Sequence, residues 1–190
     1  MMNTLPDNIL TPAILLPEWL KKIEQAYLGK QMPGDETKML FAIELARENV
    51  KHQTGGPFGA AIFNIRTDEL VAVGVNSVVP ANQSWAHAEM TAFSHAQARL
   101  GTYDLKGYLL ATSCEPCAMC FGATPWSGVE KLIYGAEGDA ARKVGFDEGD
   151  KVTDWQNALE KRGICVVGPL LKEKANEPFE LYRSMSGIVY

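Results

Sequence analysis

The sequence predicts an α/β protein, a three-layer α-β-α sandwich around a mixed five-stranded sheet, and three observations carry that class. Residues 56–63 lead into an apolar strand, turn formers at 66–69 reverse the chain, and 70–76 return as a second strand, giving a hairpin. Beyond it, strand-like runs at 108–112, 131–136 and 164–168 alternate with helical stretches, an order that sets parallel strands side by side through right-handed crossovers, with helices on both faces. At 190 residues, with 46% apolar and 22% charged side chains, the chain has the length and composition of one globular domain with a sizeable core.

Residues 1–34 read as an N-terminal arm packed on the domain formed by 35–190. Prolines at 6, 12, 17 and 33 leave room for one helix, 17–28, where Trp19, Leu20, Ile23 and Tyr27 recur at helical spacing. Asp35 is expected to cap a helix to about residue 52, with Met39, Leu40, Ile43, Ala46 and Val50 on one face and Gly55 as its stop. The hairpin is followed by a loop of turn formers around Trp85, then by a helix over 87–100 closed by Gly101. After the strand at 108–112, Pro116 opens a helix at the favoured first position. Thr153 or Asp154 caps a helix to 162, and 172–186 is mostly helical despite Pro178.

The formal net charge is −5 and there is no basic stripe, which weighs against partners held through phosphates, such as tRNA or DNA. Residues 1–16 hold Pro6, Asp7 and Pro12 and no basic residue, so they lack the charged start of a secretory signal. No apolar run approaches membrane-spanning length, and no membrane partner is expected. The four cysteines are better explained by metal than by disulfides, which fits a reducing, cytoplasmic compartment.

The chemistry gathers in two stretches, His87-Ala88-Glu89 and Pro116-Cys117-Ala118-Met119-Cys120. Two thiolates and one imidazole give zinc three protein ligands and leave a tetrahedral position open, which points to catalysis rather than to a closed structural site. Cys117 and Cys120, three apart, share a helical face, and the helix N-terminus favours the thiolate at Cys117. His87 and Glu89 face one pocket only if they lie at the irregular start of their helix. Glu89 is then the natural proton shuttle, since one carboxylate beside the metal serves both the water that loses a proton and the amine that gains one.

Blander readings stand beside this one. The Cys-x-x-Cys spacing alone also suits a redox pair. A structural zinc with Cys114 as fourth ligand leaves Glu89 without a role. His95 repeats the helical face of His87, but eight residues at about 1.5 Å each put it roughly 12 Å away, so His95 and His52 read as surface or packing histidines. Cys165, between Ile164 and Val166 on a strand, reads as core.

A histidine, a glutamate two places on, and then Pro-Cys-x-x-Cys form the signature of zinc-dependent nucleobase deaminases. Over roughly residues 35–190 the chain resembles bacterial guanine deaminases of the cytidine deaminase-like superfamily. The two motifs alone do not separate guanine deaminases from tRNA adenosine or cytosine deaminases; further segments narrow the resemblance. Gly55-Gly56-Pro57-Phe58-Gly59 resembles the loop that sets Phe58 against the purine. Asn76 matches the asparagine that hydrogen-bonds the ring. Gly145-Phe146-Asp147-Glu148-Gly149 matches the segment whose second acid, here Glu148 where the family often has aspartate, reaches the substrate. Trp126 falls where the family has a pocket-lining tryptophan, and the terminal Tyr190 matches a tyrosine that closes the pocket. Ala88, inside the histidine motif, joins these substrate contacts.

The resemblance implies the cytidine deaminase-like fold and hydrolysis of guanine to xanthine and ammonia in purine metabolism. It also implies one zinc ion per chain, Glu148 as amine-positioning residue or second shuttle, and a homodimer whose C-terminal segment crosses to the partner's pocket. Rival substrates are an aminotriazine, cytosine or tRNA adenosine; a zinc-stabilised binding module is the non-enzymatic rival.

Overall fold

The computed structural model describes residues 14–190. Its elements are α1 (Glu18–Tyr27), α2 (Asp35–Lys51), β1 (Gly59–Asn64), β2 (Leu70–Val75), α3 (Val78–Ala81), α4 (Ala88–Leu100), β3 (Tyr108–Cys114), α5 (Ala118–Ser127), β4 (Lys131–Ala136), α6 (Gly138–Val144), α7 (Trp155–Glu160), β5 (Cys165–Val167) and α8 (Lys172–Ser184). The strands form one five-stranded sheet in the order β2-β1-β3-β4-β5. β1 runs antiparallel to β2 and β3, with Ala61 opposite both Val73 and Ala111, while β3, β4 and β5 are parallel, as their alternation with helices predicts.

Strand alternation splits the core into two apolar layers. Ala61, Phe63, Leu109, Ala111 and Ile133 face α2 and α8, packing with Met39, Ile43 and Phe179. Ala60, Ile62, Leu110, Leu132 and Tyr134 face the other way, onto Ala92 and Phe93 of α4 and Trp155 and Leu159 of α7. The result is the expected three-layer sandwich. Gly74 lets α4 lie directly on β2: a Cβ there would stand 2.2 Å from the Ala88 carbonyl oxygen and 2.5 Å from the Ala92 nitrogen. That close seat fixes where α4 begins, and with it His87.

Leu16 and Leu20 anchor the described part of the arm in the α2 layer, and burying Leu20 alone contributes about 1.5–3 kcal/mol. Arg99 of α4 grips Glu24 of α1 through both terminal guanidinium nitrogens, at 3.0 and 2.8 Å. The segment after α1 then covers the outer edge of β2, with Gly29 N donating to Leu70 O at 2.9 Å and Leu70 N to Lys30 O at 3.1 Å. Residues 1–13 of the expected arm lie outside the described residues.

Several local expectations are corrected. Gly34, at φ 82°, takes the N-cap of α2; Asp35 is its first helical residue, its carboxylate drawn to Lys131 Nζ at 2.7 and 2.8 Å instead of to the helix N–H groups. Pro116 precedes the helix it was expected to open, because Cys117 holds the N-cap in extended geometry. The short helices α3 and α6 were not predicted, and α8 ends at Ser184 rather than 186. Cys165 is exposed, since β5 is a three-residue strand at the sheet edge rather than a core strand. Among the described residues no helix is long and apolar enough to cross a membrane.

Candidate active site

His87 is the N-cap of α4, at φ −73° and ψ 160°, and Cys117 is the N-cap of α5, at φ −64° and ψ 173°. The extended backbone at His87 removes the difficulty of its spacing from Glu89, since the two side chains no longer follow helical rotation and both line one cavity. The parallel strand β3 delivers Cys117 and Cys120 to the same place. His87 Nδ1 lies 3.5 Å from Cys117 Sγ and 3.7 Å from Cys120 Sγ. All three ligand atoms fall within 4.8 Å of one another.

The donor set fits zinc. Nitrogen and sulfur ligands at about 2.0–2.3 Å from a tetrahedral centre stand roughly 3.5 Å apart, close to the separations seen. The electrostatics agree. The Cys120 thiol's hydrogen bond, opposed by burial and reinforced by His87, pulls the Cys117 thiol down to about 4, so it is a thiolate. Cys120, holding the proton of that hydrogen bond and buried, is pushed well above the ordinary thiol value. For His87, burial opposes the charged form, but the hydrogen bond and charge of Cys117 outweigh it and raise the imidazole. A metal ion entering here displaces those protons.

Beside the donors stand two buried carboxyls. Glu89 accepts a hydrogen bond from Thr112 Oγ1 at 3.1 Å through Oε1, leaving Oε2 for other work. Burial and then the Cys117 thiolate raise its pKa. Glu148 is pushed up to about 8 by burial, then by Cys117 and Glu89, with Lys151 pulling the other way. Glu148 therefore titrates near neutral pH, and burial makes the Glu89 carboxylate a stronger base than an exposed one. Phe58 forms one wall, edge-on to Phe146 at 5.0 Å and to Phe179 at 5.3 Å. Ala88 and Asn76 line the same space. Tyr190 lines it too, edge-on to Phe146 at 5.5 Å. Its hydroxyl sits beside the Asn76 amide and is raised by burial.

The cavity these residues enclose measures about 220 Å³. A larger one, about 300 Å³, lies between α6 and α8. We assign the chemistry to the smaller, because it alone of the two holds the perturbed carboxyls and the His/Cys/Cys donors.

Of the residues singled out in the sequence, His87, Ala88, Glu89, Cys117, Phe58, Asn76, Glu148 and Tyr190 line this cavity, and Cys120 joins through the donor cluster. Trp126 does not: it is 82% exposed near the C-terminal end of α5, while the cysteines occupy the other end. Cys114 is buried with its Sγ toward the Glu137 carbonyl, 3.9 Å away, outside the donor cluster. His95 bonds the Ile14 carbonyl through Nε2 at 2.8 Å, and His52 stacks on Trp19 at 5.0 Å.

Sequence reasoning missed Glu115, Phe146 and Asp147 as lining residues, although Phe146 and Asp147 sit inside the 145–149 segment and Glu115 directly precedes Pro116. It also missed Lys151. That side chain is 5% exposed, bonds Glu115 and the Pro116 carbonyl (2.6 Å to the latter), and lies over the Trp155 ring at 4.5 Å. Together with Ala118 N donating to Glu148 O at 2.9 Å, it straps the Glu148 segment to the cysteine turn.

Residues 32–136 match the zinc-binding region of cytidine and deoxycytidylate deaminases. The chain is 38% identical to the guanine deaminase of Bacillus subtilis over 151 residues, which are 80% of this chain and 95% of that one. Among solved structures it is similar to a guanine deaminase from Nitrosomonas europaea, at 40% identity and a TM-score of 0.84, covering 90% of this chain and 95% of that one. It is equally similar, at 40% identity and a TM-score of 0.87, to a protein solved in complex with 2,6-diaminopurine, covering 95% and 96% of the two chains.

Proposed function

We propose, for a chain that belongs to the guanine deaminases of the cytidine deaminase-like superfamily, the hydrolytic conversion of guanine to xanthine and ammonia. The observation that carries this reading is the pair of buried carboxyls, Glu89 and Glu148, facing one small aromatic-walled cavity with the His/Cys/Cys donors.

In this reading Phe58 packs against the purine ring and the Asn76 amide bonds its edge. Glu148 reaches the N–H and amino edge of guanine as a hydrogen-bond acceptor and steadies the departing amine. His87, Cys117 and Cys120 would hold one zinc ion per chain, which would supply a water acidic enough to serve as nucleophile near neutral pH. Glu89, oriented by Thr112 at Oε1, takes a proton from the attacking water and delivers it to the ring nitrogen; it then takes the proton of the newly added hydroxyl and gives it to the amine, so that the carbonyl forms as the C–N bond breaks and ammonia leaves. The exposed Trp126 and Met119 on α5 support a homodimer, and the reduced thiols that the site needs support a cytoplasmic setting.

An ammonia-release screen over guanine, cytosine, adenine and aminotriazines tests the substrate. Guanine is expected to be turned over far faster than the rest, and Glu148→Gln to cut guanine turnover strongly, because a buried partner is left unmatched. Equal native rates on cytosine would overturn the assignment.

Residues 186–190 are read as a lid acting on their own chain. Tyr182 Oη donates to Ile188 O at 2.6 Å, and Tyr190 packs on Phe146 of the same chain. Deleting 188–190 is expected to leave zinc and fold intact and to cut activity by about 10- to 100-fold as water enters the site. Mixing the truncated chain with Glu89→Gln chains, with subunit exchange confirmed, then distinguishes the geometries: a lid acting within its chain restores nothing. A return of about a quarter of native activity would instead show that the segment crosses between subunits.

A further inference from the structure

No described residue of the N-terminal arm lines the pocket, yet one side chain on it begins an unbroken run of hydrogen bonds to that pocket. Trp19 Nε1 on α1 donates to Thr54 Oγ1 at 2.9 Å. Thr54 Oγ1 donates in turn to Asn49 Oδ1 at 2.7 Å. Asn49, wholly buried, spends both amide hydrogens on main-chain carbonyls, Gly56 O at 2.8 Å and Asn76 O at 2.9 Å. Those carbonyls belong to the loop before Phe58 and to Asn76 itself.

The direction of each bond follows from the groups. An indole nitrogen only donates, so the Thr54 hydroxyl must accept from it and is left to donate onward. With Thr54 satisfying Oδ1, the Asn49 amide has one orientation that bonds all its partners. The approach is tight: a Cβ at Gly55, whose φ is +152°, would stand 1.8 Å from Asn76 O and 3.0 Å from Asn49 Nδ2. Asn76 is held on its other side as well, its Oδ1 accepting from Gly56 N at 3.3 Å and Val78 N at 3.4 Å. Only Nδ2 of its amide is left to face the cavity.

We propose that Trp19, Thr54 and Asn49 form a positioning relay through which the N-terminal arm sets the Asn76 amide donor for the substrate ring. The proposal rests on the functional reading above, in which Asn76 contacts the purine, and it gives the arm a role in substrate affinity rather than in the chemical step. The arm itself is held independently by Leu16, Leu20 and the Glu24–Arg99 pair. Breaking one hydrogen bond of the relay therefore leaves the arm docked. Thr54→Val leaves the Trp19–His52 stack untouched, and Trp19→Phe keeps an aromatic ring at that position.

The test is steady-state kinetics on guanine with Trp19→Phe, Thr54→Val, Thr54→Ser and Asn76→Ala. Trp19→Phe and Thr54→Val are each expected to raise KM about fivefold, with kcat within about twofold, the size and form of effect for residues that touch no substrate and lose only uniform binding. Thr54→Ser, which keeps the hydroxyl, restores the native KM. In an Asn76→Ala background, Thr54→Val adds nothing further to KM, because the donor that it positions is gone. Unchanged KM in both single variants, or an additive rise in the Asn76→Ala background, overturns the relay while leaving the deaminase reading intact. A native protein that releases no ammonia from guanine overturns both.

Discussion

Glu89→Gln is expected to fold, hold zinc as the native chain does, and lose guanine turnover by about 10³–10⁴-fold or more. A single general acid–base group contributes about 10²–10⁴-fold, and here one carboxylate serves both half-steps, so the loss belongs at or beyond the top of that range. The amide keeps the size of the side chain and still accepts from Thr112 through its oxygen, so packing around Oε1 is conserved. It cannot carry a proton at the remaining position. Removing the charge also relieves the repulsion that Glu89 exerts on the Cys117 thiolate and on Glu148, so neither ligand geometry nor the second carboxyl suffers. The checks are zinc content, circular dichroism and single-turnover ammonia release. A fall of less than tenfold, with zinc retained, would remove Glu89 from the proton path.

Much of this arrangement was readable from residue order, because the chemistry depends on short spacings that local backbone geometry enforces. β4, Lys131–Ala136, coincides with its expected bounds since it is an interior strand whose residues 132–136 are buried, bounded by turn formers on both sides. The His87–Glu89 problem was posed correctly by helical periodicity and solved by the extended N-cap. What escaped the sequence depends on neighbours distant along the chain. Asp35 has the right type for a cap, but Lys131 lies across the fold and takes its carboxylate. Ile164 and Val166 make Cys165 look like core, while the edge position of β5 decides its exposure. Trp126 is apolar enough to line a pocket, yet α5 carries it away from the cysteines at its other end. Lys151 could not be found from spacing at all. A lone lysine in an acidic stretch reads as solvated until the fold brings Glu115, the Pro116 carbonyl and Trp155 around it. The same holds for Asn49, whose partners are 7 and 27 residues away.

Substituting any one of His87, Cys117 or Cys120 by alanine is expected to strip the metal and abolish turnover, whereas Cys114→Ala keeps both. Removing a residue that merely orients a ligand typically costs about 10–100-fold in metal affinity, so removing one of three ligands should cost more than that. Only two protein donors then remain within reach, since Cys114 Sγ is directed at Glu137 O and lies outside the cluster. The fold should survive in every variant, because both apolar layers form on the faces of the sheet without help from the donors. Native affinity should also weaken as pH falls. His87 and Cys120 have raised pKa values, so each must surrender a proton for zinc to enter, and that surrender becomes harder in acid. Metal analysis of purified variants, with chelation and zinc re-addition on the native chain, reads all of this out, and one zinc ion per chain is the expected native content. Loss of zinc from Cys114→Ala would make Cys114 a fourth ligand and the site structural, closing the open position on which the proposed deamination depends.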